Sequence, residues 1–143
     1  MREYRTRPWS INILMTLLIL LGLGGIGGGI ILLSDPSGEL MGLPAGLLDD
    51  LFVPDYTLPG FFLIFVMGFL PYGVCYLVWA GHRLGRAAVF VLGGILICWI
   101  LFQILLWGSP MAIQNIYLVW GLVLIGLAAL PQVREYFSAS REQ

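Results

Sequence analysis

Residues 22–29 of this chain read GLGGIGGG, and the first six of them, Gly22, Leu23, Gly24, Gly25, Ile26 and Gly27, match the letters G-x-G-x-x-G. In a dinucleotide-binding fold those glycines form a tight turn between a strand and a helix, and an acidic residue about 20 positions on meets the ribose. Here the glycines are flanked by LMTLLILL and IILL. A backbone buried in hydrocarbon must satisfy its own hydrogen bonds, so it stays helical, and helical N–H groups have nothing left to offer a phosphate. No nucleotide is expected to bind. What the glycines permit is close approach of helices: Gly24 with Gly28, and Gly25 with Gly29, form overlapping G-x-x-x-G pairs. At about 100° per residue, Gly22, Gly25 and Gly29 share one face, with Gly24, Gly27 and Gly28 roughly opposite.

Other chemistry-bearing residues are few. His82 is the one histidine, which excludes bis-histidine haem ligation within the chain and leaves it a structural role at a helix end. The cysteines are Cys75 and Cys98. If their segments pair antiparallel through residues 81–87, Cys75 lies opposite Gly93 and Cys98 sits about 7.5 Å deeper. That offset argues against a disulfide, and both are expected to be small apolar fillers. The chain contains no G-x-S-x-G, no H-E-x-x-H and no intramembrane carboxylate, so it is not read as an enzyme, and no cofactor is expected. One polar group stands out. Folding the last two apolar segments about residues 108–110 sets Gln103 near the depth of Asn115, with Gln114 above and Tyr117 below. Buried amides need partners, so these four are expected to bond between helices or to line a small pocket that opens outward.

The elements that must position these residues follow from composition. Of 143 residues, 59% are hydrophobic and 10% charged, against roughly 45–50% and 25% in soluble domains. Four segments, 11–33, 58–81, 87–107 and 111–130, contain no Asp, Glu, Lys or Arg, and each is long enough to cross a hydrocarbon core of about 30 Å. The expected fold is all-α: one membrane domain over 1–143, a four-helix transmembrane bundle. The apolar run 11–33 exceeds the roughly 7–15 residues of a signal-peptide core, so it is kept as a helix of the mature protein. Pro71 removes the donor for the Met67 carbonyl and should kink the second span.

Charge placement orients the bundle. Arg2, Arg5 and Arg7 precede the first span, Arg83 and Arg86 lie between the second and third, and Arg134 and Arg141 follow the fourth. The loop 34–57 has no basic residue and carries Asp35, Glu39, Asp49, Asp50 and Asp55. The positive-inside bias places both termini in the cytoplasm and this loop outside. Trp9, Trp79 and Tyr136 then fall at the inner interface, Tyr56 and Trp107 at the outer one.

Within the loop, Asp35-Pro36-Ser37-Gly38 is turn chemistry. After Pro44, a two-turn helix would gather Leu47, Leu48, Leu51 and Phe52 on one arc, with Asp49 and Asp50 on the other side in water. Such a segment would lie on the membrane surface as a structured cap. Asp35, Ser37 and Glu39 alternate as early calcium-loop ligands do, but Gly38 falls at the fourth place instead of the sixth. The acids are therefore read as solvated, with no metal site.

The run from GGGIILLSDPSG through LMGLPAGLLDDLFVPDYTLPGFFL resembles a pattern in a family of small four-helix bacterial membrane proteins, in which a D-P-S/T-G turn, an L-G-L-P step and an F-x-D-Y/F-x-x-P-G element recur. The likeness covers about residues 27–63 and departs at Pro54, one place after the usual position beside Phe. It implies bacterial origin, hence a cytoplasmic membrane, and a retained loop design; it brings no chemistry. From the residues, the leading expectation is an interaction or accessory subunit. It would pack against another membrane protein or a second copy through the glycine face and the outer cap, among membrane lipids, with no nucleic acid partner. The alternative is a protein that binds or transports a small molecule or ion through the outward polar pocket.

Overall fold

Five helices account for the fold, and no strand occurs among the described residues. The computed structural model describes residues 7–44, 46–49, 51–108 and 111–139. Arg2, Arg5, Asp50, Ser109, Pro110 and Arg141 lie outside them. In chain order the helices are α1 (Trp9–Ser34), α2 (Thr57–Trp79), α3 (Gly85–Trp107), α4 (Ala112–Ala129) and α5 (Pro131–Ser138). The first four are long and apolar enough to cross a membrane, within two residues of the four apolar segments. Gly81 ends α2 in the left-handed conformation at φ 63°, and His82 N–H returns to the Leu77 carbonyl at 2.9 Å, satisfying an orphan acceptor of the last turn.

The expected kink in α2 takes another form. Residues Leu63–Phe69 are a π-helix, and the Leu70 N–H bonds the Phe65 carbonyl five residues back. This wide turn directly precedes Pro71, which has no N–H for the Met67 carbonyl. The Met67 carbonyl turns instead onto Gly25 of α1, where a Cβ would collide with Met67 C and O.

That contact belongs to a seam along the first two spans. A Cβ at Gly22 would lie 2.9 Å from the Gly68 carbonyl and 2.7 Å from the Tyr72 ring; one at Gly29 would lie 2.7 Å from the Gly60 carbonyl. Gly93 and Gly121 do the same for α3 and α4, a Cβ on either coming within 3.2 or 3.3 Å of the other's carbonyl. In lipid there is little hydrophobic force between helices, so dispersion over closely approached backbones supplies the attraction. Between the two pairs, Ile11, Leu14 and Leu18 of α1 share a core with Val89, Leu92 and Leu96 of α3 and with Leu124 and Ala128 of α4.

The end of the bundle that carries both termini is closed by α5, which the hydropathy pattern did not reveal. Val133 and Phe137, four residues apart on one face, are buried. Ser10 Oγ donates to Gln132 Oε1 at 3.3 Å, and Tyr136 Oη donates to the Val78 carbonyl at 3.2 Å. Arg86 Nε donates to the Ala128 carbonyl at 2.9 Å, tying the start of α3 to the end of α4. Here, too, Arg7 lies 5.6 Å from the Trp79 ring centroid. The opposite end is looser, because α2 packs on α3 mainly through Leu70–Trp79. Of the cysteines, both free, Cys75 is half-buried and Cys98 is exposed. Cys98 is therefore on the outer surface of the bundle and fills no core.

Candidate functional site

Where the two helix pairs diverge, beneath residues 35–56, they enclose a pocket of about 840 Å³, within the range of roughly 300–1,000 Å³ usual for small-molecule sites. Gly24, Gly28 and Leu32 form its α1 wall, and Leu63 and Met67 belong to its α2 wall. Trp99, Gln103 and Trp107 line it from α3, Gln114 and Tyr117 from α4. Phe61, Phe65 and Phe102, at its side, are also exposed on the outer surface of the bundle, so the pocket communicates with whatever surrounds the helices. No charged side chain lines it among the described residues.

The roof is the loop. Asp35 builds the turn expected at Asp35-Pro36-Ser37-Gly38: the Gly38 N–H bonds the Asp35 carbonyl at 3.0 Å, with Gly38 at φ 81°. Its carboxylate accepts from Ser37 Oγ at 2.6 Å, Ser37 N–H at 3.2 Å and Leu40 N–H at 2.8 Å. Tyr56 N–H bonds the Pro36 carbonyl at 3.0 Å, which closes the loop's end onto its beginning. Asp55 Oδ1 accepts from Thr57 N–H at 2.9 Å at the start of α2. Among the described residues the helix expected after Pro44 does not occur, and none begins before Thr57. The Asp49 N–H bonds the Gly46 carbonyl at 3.2 Å and the Leu51 N–H bonds the Leu48 carbonyl at 2.9 Å, and Gly46 at φ 78° stops helical propagation where the segment is already too short to nucleate. The leucine arc is consequently split. Leu48 and Leu51 face the pocket with Met41, Leu43 and Val53, Leu47 is half-buried away from it, and Phe52 is fully exposed. Asp49 is exposed, and Asp50 lies outside the described residues.

Asp35 and Asp55 are lowered below the ordinary aspartate value, Asp35 chiefly through the Ser37 hydroxyl and Leu40 N–H, Asp55 through Thr57. A group whose folded pKa is lowered contributes stability above its unfolded value, and that contribution is lost as pH falls through the folded one. The Leu40 amide should therefore be protected from hydrogen exchange at neutral pH. Below about pH 4, near the ordinary aspartate value, it should progressively lose that protection after correction for intrinsic rates. Asp35→Ala should lack the protection at every pH; equal protection in both proteins would contradict the cap.

Tyr56 does not behave as an interfacial belt residue. It is 6% exposed, lines the pocket, and packs against Gly38, where a Cβ would lie 2.9 Å from its Cε2. Its hydroxyl is buried and meets no hydrogen-bond partner among the described residues. Burial pushes its ionisation above the ordinary phenol value, so it remains an O–H donor. Nothing in the local sequence marks this, since burial comes from a glycine 18 positions away.

The expected polar group is assembled in part. Gln114 is 1% exposed, its Nε2 donates to Gln103 Oε1 at 3.4 Å, and its Oε1 accepts from Met111 N–H at 2.8 Å. Tyr117 lies on the pocket wall against α1, its hydroxyl 2.6 Å from where a Cβ of Gly24 would be. Asn115 does not take part. It is exposed, because one residue beyond Gln114 turns it about 100° away at nearly the same depth.

The six glycines divide by surroundings. Gly22, Gly25 and Gly29 are buried in the α1–α2 seam, Gly24 meets Tyr117, and Gly28 borders the pocket with Leu63 at ordinary contact distance, 3.5 Å from its would-be Cβ. Gly27 is exposed with nothing within 4 Å of a Cβ. Only Gly27 is therefore left fully on the outer surface. Comparison of the chain with protein-family models, with curated proteins and with solved structures finds no match.

Proposed function

We infer that this is a membrane-embedded binding protein that holds an apolar small molecule between its two helix pairs, under the loop. The observation that carries this reading is the pocket itself: an apolar volume walled by all four long helices and roofed by a hydrogen-bonded loop. The polar side chains that line it among the described residues are Gln103, Gln114, Tyr56, Tyr117 and the indoles of Trp99 and Trp107, which suits a binding role. The arginine distribution supports cytoplasmic termini and an extracytoplasmic roof, with access for a ligand from the outer half of the bilayer. The resemblance of the loop supports a bacterial cytoplasmic membrane. An accessory-subunit role draws less support, because five of the six glycines face the chain's own helices, loop or pocket. A role in ion passage draws least, because the half of the bundle nearer the termini is filled, among the described residues, by Ile11, Leu14, Val89, Leu92, Leu124 and Ala128.

The test is binding of an apolar, environment-sensitive fluorophore to the detergent-solubilised protein. The parent should show saturable binding. Gly28→Phe should abolish it by growing a ring into the pocket, while Gly27→Phe, on the outer surface, should leave it unchanged. Equal binding by all three proteins would overturn the reading.

A further inference from the structure

We propose that the crevice between α1 and α2, at the end carrying the termini, seats an anionic phospholipid, its phosphate on the Arg7 guanidinium and one acyl chain in the groove beneath. The site goes beyond the binding reading above and does not depend on it, since none of its residues lines the pocket between the helix pairs.

Three features carry it. The first is the groove, about 520 Å³ in volume. Asn12, Thr16 and Ile19 line it from α1, Tyr76 and Trp79 from α2, and all five are exposed on the outer surface of the bundle. The half-buried Met15 and Cys75 form its back, where Cys75 Sγ donates to the Met15 carbonyl at 3.8 Å. From Asn12 to Ile19 the groove runs about 10 Å along α1 at 1.5 Å per residue. One leaflet of a hydrocarbon core is about 15 Å, half of roughly 30 Å. The groove therefore takes most of one acyl chain, and its open side faces the lipid.

The second is the cation at its head. Trp79 is the last residue of α2, so its carbonyl is one of the acceptors that a helix end leaves without an intrahelical donor. Arg7 Nη2 donates to it at 3.2 Å, and the guanidinium lies 5.6 Å from the Trp79 ring centroid. These two contacts hold the guanidinium over a residue that lines the groove. Arg7 is exposed, and of its five N–H donors only one is used, so the fork keeps donors for a phosphate. The exposed Asn12 side chain meets no partner among the described residues and adds a further donor. Trp9 and Trp79, both more than half exposed, mark this as the level of an interfacial aromatic belt. The cation thus stands at headgroup depth with the groove at chain depth below it, the vertical order of a phospholipid. A free phosphate would use only the upper part.

The third is charge. Among the described residues the charged side chains at this end are Arg7, Arg83, Arg86 and Arg134, opposed by Glu135 alone, whereas the loop at the other end carries acids and no basic residue. An anionic headgroup is drawn to the arginine end, and a zwitterionic one brings its ammonium into the same positive field.

The experiment is native mass spectrometry of the delipidated full-length protein, titrated with phosphatidylglycerol and with phosphatidylethanolamine of the same acyl chains. The parent should bind phosphatidylglycerol more tightly. Arg7→Gln should weaken that binding about fivefold, the factor one basic residue commands at a membrane surface, and should weaken phosphatidylethanolamine less. Arg134→Gln removes the same charge from an exposed position on α5 outside the groove and should leave both lipids bound as in the parent. Thr16→Phe, which grows a ring into the groove, should weaken both lipids. Because Thr16 and Arg7 are exposed, both variants should melt with the parent, which separates loss of the site from loss of the fold. Excess inorganic phosphate should not displace phosphatidylglycerol, having no chain for the groove. Gly28→Phe, which fills the pocket between the helix pairs, should bind phosphatidylglycerol as the parent does; loss of binding there would place the lipid in that pocket and overturn this site while supporting the other. Equal losses in Arg7→Gln and Arg134→Gln would reduce the effect to net charge, and displacement by phosphate would reduce it to an anion contact. Either result, or parental binding in Arg7→Gln or Thr16→Phe, would overturn the proposal and leave the pocket reading standing.

Discussion

Gly25→Leu should lose the folded bundle, and Gly27→Leu, two residues along the same helix, should keep it. The contrast follows from what each missing Cβ would meet. At Gly25 it would collide with the Met67 carbonyl and come within 2.6 Å of Gly68 N. These are backbone atoms of α2 at its π segment, where the helix is already rearranged around Pro71 and cannot retreat by changing a rotamer. Overpacking costs about 1–3 kcal/mol where side chains can give way, so a clash with backbone should reach or exceed about 3 kcal/mol, out of a total stability of about 5–15 kcal/mol. Gly22 and Gly29 should show smaller losses on change to Ala, since the Tyr72 ring and the Ile64 side chain can move in part. Gly27 has nothing within 4 Å and its substituent would meet only lipid. Monodispersity and melting temperature in mild detergent measure this. A Gly25→Leu protein that melts with the parent would show that α1 and α2 do not meet along this seam.

Phe137→Ala should destabilise the protein by about 3–5 kcal/mol, the range for deleting a buried aromatic side chain. Phe137 is 4% exposed, and its Cε1 lies 2.7 Å from the position of a Cβ on Gly85, under the first turn of α3. With Val133 it fixes α5 against the ends of α1, α3 and α4. This helix follows the last span and has a polar outer face, so burial of its two apolar residues is driven by water and not only by packing. Loss of the anchor should also free residues 131–138, which rapid tryptic cleavage after Arg134 would report. Phe52→Ala, at a fully exposed position, should stay within about 0.5 kcal/mol of the parent. Parental stability and protease resistance in Phe137→Ala would mean that α5 does not close this end.

Much of the architecture was legible one helix at a time. Length and apolarity set the four spans to within two residues, because crossing a bilayer is a requirement on each segment alone. The Asp35 turn could be read from four residues, because proline and glycine constrain their own dihedrals and aspartate bonds two residues on. The two glycine faces of α1 followed from helical rotation. The α5 helix was also readable, from proline at its first position and apolar residues four apart, but eight residues of mixed polarity leave no trace in hydropathy. In the loop, local pattern misled: the leucine spacing after Pro44 fits a helix, yet Gly46 adopts a left-handed conformation there and sends Leu48 and Leu51 to the pocket without Leu47 or Phe52.

What the sequence determined by itself is thus the membrane class, the number and limits of the spans, the clustering of arginines at one end, and the faces that could pack closely. Only the tertiary structure decided that Gly25 meets the Met67 carbonyl, that Gln114 faces inward while Asn115 does not, that Tyr56 is buried against Gly38, and that the two helix pairs part to leave a pocket. Spans and turns are set by interactions among residues a few positions apart, which a pattern in the chain can encode. The pocket exists because four helices meet at particular azimuths and separate at one end, and that arrangement is a property of the contacts between them, visible in no helix alone.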